Sequence, residues 1–290
     1  MVLSPSGEVL TNNHVIDGAT SISVTDVGNG RTYRGTVLGY DRTDDVAVLK
    51  LAGATGLKTV RTGDSSAVTV GTPVVGIGNA GGTGGTPSAA GGSVSALGQS
   101  ITASDSSDRS SEQLSGLIAT DAQIAPGDSG GPLATASGQV IGMDTAASAG
   151  FRFSQESAQG FAIPIDAALQ TARQIISGQS SSAVHIGGTA LLGVDVAAVD
   201  STDQQGGFGA STTTAGAAVV DVVDSGPAQA AGLTAGDTLT ELDGRSITSP
   251  DDLTAVMTTL HPGDTVRLTY VDVYGESHTT GVRLAGGPPQ

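Results

Sequence analysis

The stretch Thr120–Leu133 reads TDAQIAPGDSGGPL, and the role of its one serine decides how the whole chain is read. Ser129 is surrounded by Gly127, Gly130 and Gly131. Residues without a Cβ permit a tight turn there, so the backbone N–H groups of Gly127 and Ser129 can converge on one point. Acyl transfer by a serine hydroxyl needs such a pair of donors facing the developing oxyanion. It also needs a base to take the hydroxyl proton and an acid to orient that base.

Four histidines are available as the base. His14 lies in TNNHVI, directly after a strand-like stretch. His185 sits in a Gly/Ser-rich segment, and His261 and His278 fall in the C-terminal third; for these three a surface or turn position is expected. His14 is therefore the candidate that shares a region with Ser129. For the acid, DRTDDVAVLKL offers Asp41, Asp44 and Asp45. Asp45 directly abuts Val46, Ala47 and Val48 and is expected to be drawn inward, with Asp44 as the alternative. The order His14, Asp45, Ser129 is that of chymotrypsin, not of subtilisin or the α/β-hydrolases.

The bulk composition narrows the partners. The chain has 290 residues, enough for one large domain or two ordinary ones. With 38% apolar and 3% aromatic residues, its core must be built from Val, Ile, Leu and Ala. A net charge of −16 argues against nucleic acid or an anionic membrane as partner, because both need a basic face. The absence of cysteine excludes disulfides and thiolate metal sites. No HExxH or other clustered ligand set occurs, so no metal or organic cofactor is expected. No apolar run approaches the roughly 20 residues of a membrane span, and MVLSPSGEVL lacks the basic start of a signal peptide.

Residues 1–163 read as many short Val/Ile/Thr-rich strands bounded by Gly, Asn, Asp and Pro, a mainly β pattern of barrel or sandwich type. The segments 78–92 and 102–113 read as low-complexity loops. IPIDAALQTARQIIS predicts a helix with Ile165, Leu169, Ala172 and Ile176 on its apolar face and Gly178 after its end. The first domain is placed at 1–178, a linker at 179–187 and a second, α+β domain at 188–286. In the latter, SPDDLTAVMTTL predicts a helix with Ser249 as N-cap and Pro250 at its first position.

Taken together, LSPSGEVLTNNHVI, TDDVAVLKL, TDAQIAPGDSGGPL and GFAIPID resemble the histidine, aspartate, serine and last-helix segments of the HtrA/Deg family of serine proteases. The resemblance covers nearly the whole chain. It implies a trypsin-like double β-barrel followed by a PDZ domain, and it selects Asp45 over Asp44. Asp128 stands where the family often has Asn. The resemblance implies an endopeptidase acting on misfolded or envelope proteins through an acyl-enzyme, with His14 as base, Asp45 as orienting acid, Ser129 as nucleophile, and Gly127 and Ser129 forming the oxyanion hole.

Gln123 occupies the position where cleavage after Lys or Arg would want an acid. Ile124 and Ala125 favour an apolar pocket, in keeping with the family's taste for small aliphatic residues. ALLGV (190–194) resembles the carboxylate-binding loop of PDZ domains. That implies capture of C-terminal peptides by Leu191, Leu192, Gly193 and Val194, with Leu253 and Met257 walling the groove. Related proteases are often trimers and act outside the cytoplasm, in the envelope or secreted. The family pattern normally has a further strand before VLSPSGEVL, so the first barrel is expected to be incomplete and the chain weakly stable and weakly active until that strand is restored. The alternative reading is a chaperone-like or peptide-binding module whose truncated protease domain is inactive.

Overall fold

A computed structural model describes residues 1–104, 111–145, 160–199 and 215–289. They form two compact units, Met1–Gly187 with Pro289–Gln290, and Gly188–Pro288. The first begins with β1 (Glu8–Thr11), β2 (Ile22–Asp26), β3 (Arg31–Asp41) and β4 (Val46–Leu51). The apolar run of β4 is buried at Val46, Ala47, Val48, Leu49 and Leu51. Such a run, without polar alternation, marks a strand covered on both faces.

A closed barrel follows, built from β5 (Pro73–Gly78), β6 (Ser88–Ser104), β7 (Ser111–Thr120), β8 (Pro132–Thr135), β9 (Val140–Thr145) and β10 (Gly160–Pro164) in the order β10-β7-β6-β5-β8-β9. All six residues of β9 are buried. Closure leaves no strand edge unpaired. Helix α1 (Ile165–Ile176) comes next, and Gly178 beyond it has φ +72°, the left-handed conformation that ends many helices. Finally β11 (Val184–Ile186) pairs with β3, so the first sheet runs β1-β4-β3-β11 with β2 also on β3, open rather than closed.

Four expectations are corrected here. The buried face of α1 is Ile165, Ala168, Ala172 and Ile175, while Ile176 is 44% exposed and Leu169 only half-buried. Spacings of three and four from Ile165 follow the helical period and put the small Ala168, not the larger Leu169, on the buried face. Residues 179–187 are not simply a linker. The Ser181 hydroxyl accepts from the Val184 N–H at 3.0 Å and turns the chain into β11. There His185 is buried, its ring 5.0 Å from that of Tyr40, rather than on the surface. Within the 78–92 segment, Ser88–Gly92 are strand residues paired with β5. Alanine and glycine carry little strand propensity, and ladder pairing overrides it. Of the 102–113 segment, 105–110 lie outside the described residues.

The second unit contains β12 (Thr189–Leu191), β13 (Val194–Ala198), β14 (Ala217–Val222), α2 (Pro227–Ala230), β15 (Thr238–Leu242), β16 (Arg245–Ser246), α3 (Pro250–Met257), β17 (Thr265–Val271), β18 (Ser277–Arg283) and β19 (Ala285–Gly287). Its main sheet runs β13-β14-β15-β17-β18, with β16 on β15, while β12 pairs with β19. The Ser249 side chain caps α3 by accepting from the Asp252 N–H, and Pro250 opens the helix. Among the described residues no helix is long and apolar enough to cross a membrane.

Candidate active site

Asp45 follows the end of β3 and immediately precedes β4. It is 2% exposed, with φ +52°. Left-handed backbone is costly for most residues and least so for Asn, Asp and Gly, so an aspartate suits this corner. Its carboxylate is held from three sides. Oδ2 accepts from Asn12 Nδ2 at 2.9 Å and from Thr145 Oγ1 at 3.4 Å, and Oδ1 accepts from the His14 N–H at 3.0 Å. His14 Nδ1 lies 2.8 Å from Oδ2. Asn12 Nδ2 also reaches the Asp45 carbonyl at 3.0 Å. A carboxylate on Nδ1 fixes the tautomer and orientation of the imidazole and leaves Nε2 as the nitrogen on the far side of the ring. Asp44 is exposed, and Asp41 is buried within its own turn, where its Oδ1 accepts from the Asp44 N–H. Neither meets the histidine in the described hydrogen bonds.

Ser129 stands on a turn whose peptide planes are fixed by their carbonyls. The Pro126 carbonyl accepts from the Gly81 N–H at 2.8 Å, and the Asp128 carbonyl from the Gly131 N–H at 2.9 Å. In a trans peptide the N–H points opposite to the C=O. The N–H groups of Gly127 and Ser129 therefore both point away from those partners. Gly127 has φ +100°, and its N–H has no acceptor among the described residues. A methyl group on Gly127 would collide with the Asn79 carbonyl, and one on Gly130 (φ +79°) with the Thr11 side chain. Those two contacts explain why the motif needs glycine at both places: the turn is pressed between residues 79–82 and the end of β1. The Gly130 N–H donates to the Asp144 carbonyl at 2.9 Å, and Asp144 adjoins Thr145, which touches Asp45. A continuous chain of contacts thus joins the serine turn to the acid.

A cleft of about 450 Å³ opens beside Ser129, lined among others by Gly127, Asn79, Thr11, Val15 and Ile22. Gln123, Ile124 and Ala125 do not line it. Gln123 is exposed, and Ala125 donates its N–H to Asp128 Oδ2 at 2.9 Å. Ile124 fills the space left by two glycines, since a methyl group on Gly76 or Gly160 would strike its side chain. Several groups escaped the sequence reading. Asn12 and Thr145 anchor the acid, and the 79–82 loop orients the serine turn. Asn12 lies two residues before His14 and is buried with Asn13; the paired amides directly before the histidine were the available signal in the sequence.

In the second unit the same peptide logic applies to the predicted binding loop. The Leu192 carbonyl accepts from the Ala228 N–H at 2.9 Å and the Gly193 carbonyl from the Val223 N–H at 3.0 Å. The N–H groups of Gly193 (φ +80°) and Val194 consequently point the other way. Val194 opens β13, the outermost strand of its sheet. Leu192 is buried and Leu191 half-buried, whereas Leu253 and Met257 pack into the core with Val256. Asp272, Glu276 and His278 lie close together on the β17–β18 hairpin, but Asp272 is already bonded to His278 Nε2 and to the N–H groups of Tyr274 and Glu276.

Comparison with known proteins shows the family of this chain. The trypsin-like peptidase domain family matches residues 1–143 and the PDZ domain family residues 190–272. The chain is 37% identical over 300 aligned residues to the serine protease PepD of Mycobacterium tuberculosis, covering 98% of this chain and 60% of PepD. It is 35% identical to a probable periplasmic serine protease, do/HhoA-like, of Haemophilus influenzae, covering 98% of this chain and 57% of that protein. Among solved structures, the HtrA-type protease AlgW with a tripeptide matches with a TM-score of 0.52 and 30% identity, over 100% of this chain and 89% of AlgW. The chain spans less than two thirds of the length of these two curated relatives.

Proposed function

From the membership of this chain in the HtrA family of trypsin-like serine proteases with a PDZ domain, we propose that it is an endopeptidase whose nucleophile is Ser129. The observation that carries this reading is the serine turn, in which the N–H groups of Gly127 and Ser129 each point away from the hydrogen-bonded carbonyl of the same peptide. His14 takes the Ser129 proton as the hydroxyl attacks the scissile carbonyl. Asp45 holds the imidazole in register and stabilises the imidazolium. The N–H groups of Gly127 and Ser129 bind the oxyanion, and each such donor is worth about 3–4 kcal/mol in comparable enzymes. His14 then protonates the leaving amine, and water releases the acyl group from Ser129 by the reverse path.

The substrates are extended polypeptides, seated in the cleft beside Ser129 that Thr11, Val15, Ile22 and Asn79 help to line. In the second unit, the outer edge of β13 takes a peptide as an added strand, its C-terminal carboxylate resting on the N–H groups of Gly193 and Val194. Leu191 and Leu192 floor that loop, and Leu253 and Met257 back the groove from the core. The periplasmic designation of the Haemophilus relative supports an extracytoplasmic site of action, and a trimer is the assembly the family suggests. A fluorophosphonate probe with Ser129→Ala as control tests the nucleophile. The intact chain should be labelled at one residue and the variant not at all; equal labelling of both would remove Ser129 from the mechanism.

A further inference from the structure

Directly behind the serine turn lies a second aspartate that the triad does not use. Asp144 is 0% exposed, and among the described residues neither of its carboxyl oxygens has a hydrogen-bond partner. Asp128, beside it, is 4% exposed with both oxygens engaged: Oδ1 accepts from Ser88 Oγ at 2.7 Å and Oδ2 from the Ala125 N–H. Both carboxyls occupy room that β5 leaves open on one face. A methyl group on Gly76 would lie 3.2 Å from Asp144 Oδ2, and one on Gly78 would lie 2.6 Å from Asp128 Cβ. Residues 76 and 78 are two apart on a strand and so face the same way. The Asp144 backbone clasps the serine turn on both sides of its last bend, accepting from the Gly130 N–H and donating to the Gly131 carbonyl at 2.8 Å.

We propose that Asp144 is a positioning residue for acyl transfer: its carboxyl carries a proton in the working enzyme, and loss of that proton beside the Asp128 carboxylate loosens the clasp that aims the Ser129 N–H. The proposal rests on Ser129 being the nucleophile. An ionised carboxylate without a donor in a dry site is strongly disfavoured, and a second one alongside makes it worse. Burial first, and then the Asp128 charge, push the Asp144 carboxyl up to about 8. The Ile77 N–H pulls the other way without reaching it in hydrogen-bond geometry. Strands β5, β8 and β10 bring no titratable side chain to this place among the described residues, and the serine turn brings Asp128. On α1, Asp166 and Arg173 are exposed. Asp45, which holds His14, meets the strand at Thr145, whose side chain projects to the opposite face from that of Asp144.

The test is the pH dependence of fluorophosphonate labelling of the full chain between pH 6 and 10, repeated as kcat on a peptide substrate. The wild type should lose rate above about pH 8, about tenfold per unit as for one proton, with the loss in kcat rather than KM. Asp144→Asn, which cannot ionise, should abolish that limb. Asp128→Asn removes the neighbouring charge and should move the limb to lower pH, and it decides the matter if Asp144→Asn does not fold. An alkaline limb indifferent to both substitutions, or no limb in the wild type, overturns the proposal while leaving Ser129 as nucleophile. No labelling of the wild type at any pH rejects the nucleophile and the proposal together.

Discussion

The open first sheet and the closed barrel of the protease unit each bury an aspartate at the site, and they treat it in opposite ways. Asp45, at the β3–β4 corner, is met by Asn12, Thr145 and both the backbone and the ring of His14. Asp144, in β9, is buried as deeply and met by no donor among the described residues. Equal burial with unequal donors gives one carboxylate built to orient a histidine and one acid held neutral against a neighbour of like charge. Burial alone therefore does not identify a catalytic acid; the donors around it do.

The largest effects should come from the shared machinery of the two halves. Ser129→Ala should lower hydrolysis by about a million-fold while leaving peptide affinity of the PDZ unit unchanged, as read by titration with a C-terminal peptide. Asp45→Asn keeps the shape but offers the imidazole the wrong partner, and kcat should fall by about ten-thousand-fold. A much smaller loss would mean that Asp45 only fills space. Gly127→Ala meets both a left-handed backbone and the Asn79 carbonyl, so it should lose about 100- to 1,000-fold in kcat, with KM little changed.

The contrast sharpens in stability. Asp144 has its pKa raised from 3.8 to about 8 in the folded state, so between those values the fold keeps a proton that the unfolded chain has lost. Stability should accordingly fall with rising pH across that window, by about 1.4 kcal/mol per unit, and level off above it. The gain in melting temperature from Asp144→Asn should thus grow from pH 5 to pH 8. A gain that does not depend on pH would mean the carboxyl is not protonated. The smallest effect is expected at Gly193→Ala, where the left-handed position costs about 1–2 kcal/mol, read as weaker peptide binding with proteolysis of a short substrate intact.

Much of this was legible in the chain. The serine turn announces itself because glycines are dictated by backbone geometry, and Gly127 and Gly130 prove to be sites where any side chain would collide. Asp45 could be chosen because it abuts the apolar run of β4. What stayed hidden depends on pairing between distant segments. The strand at Val184–Ile186 exists because β3 offers it an edge, and β6 begins in Ala and Gly because β5 recruits it. Nothing in QVIGMDT distinguishes Asp144 from a surface aspartate at a strand end. Its meaning appears only when Gly76 and Gly78 open space on the facing strand.

The most direct test of the central claim is the stoichiometry and site of fluorophosphonate labelling at pH 7, read by mass spectrometry of the digested chain. One label per chain is expected, on Ser129, with its loss in His14→Ala. No label, or a label on any other residue, would contradict it.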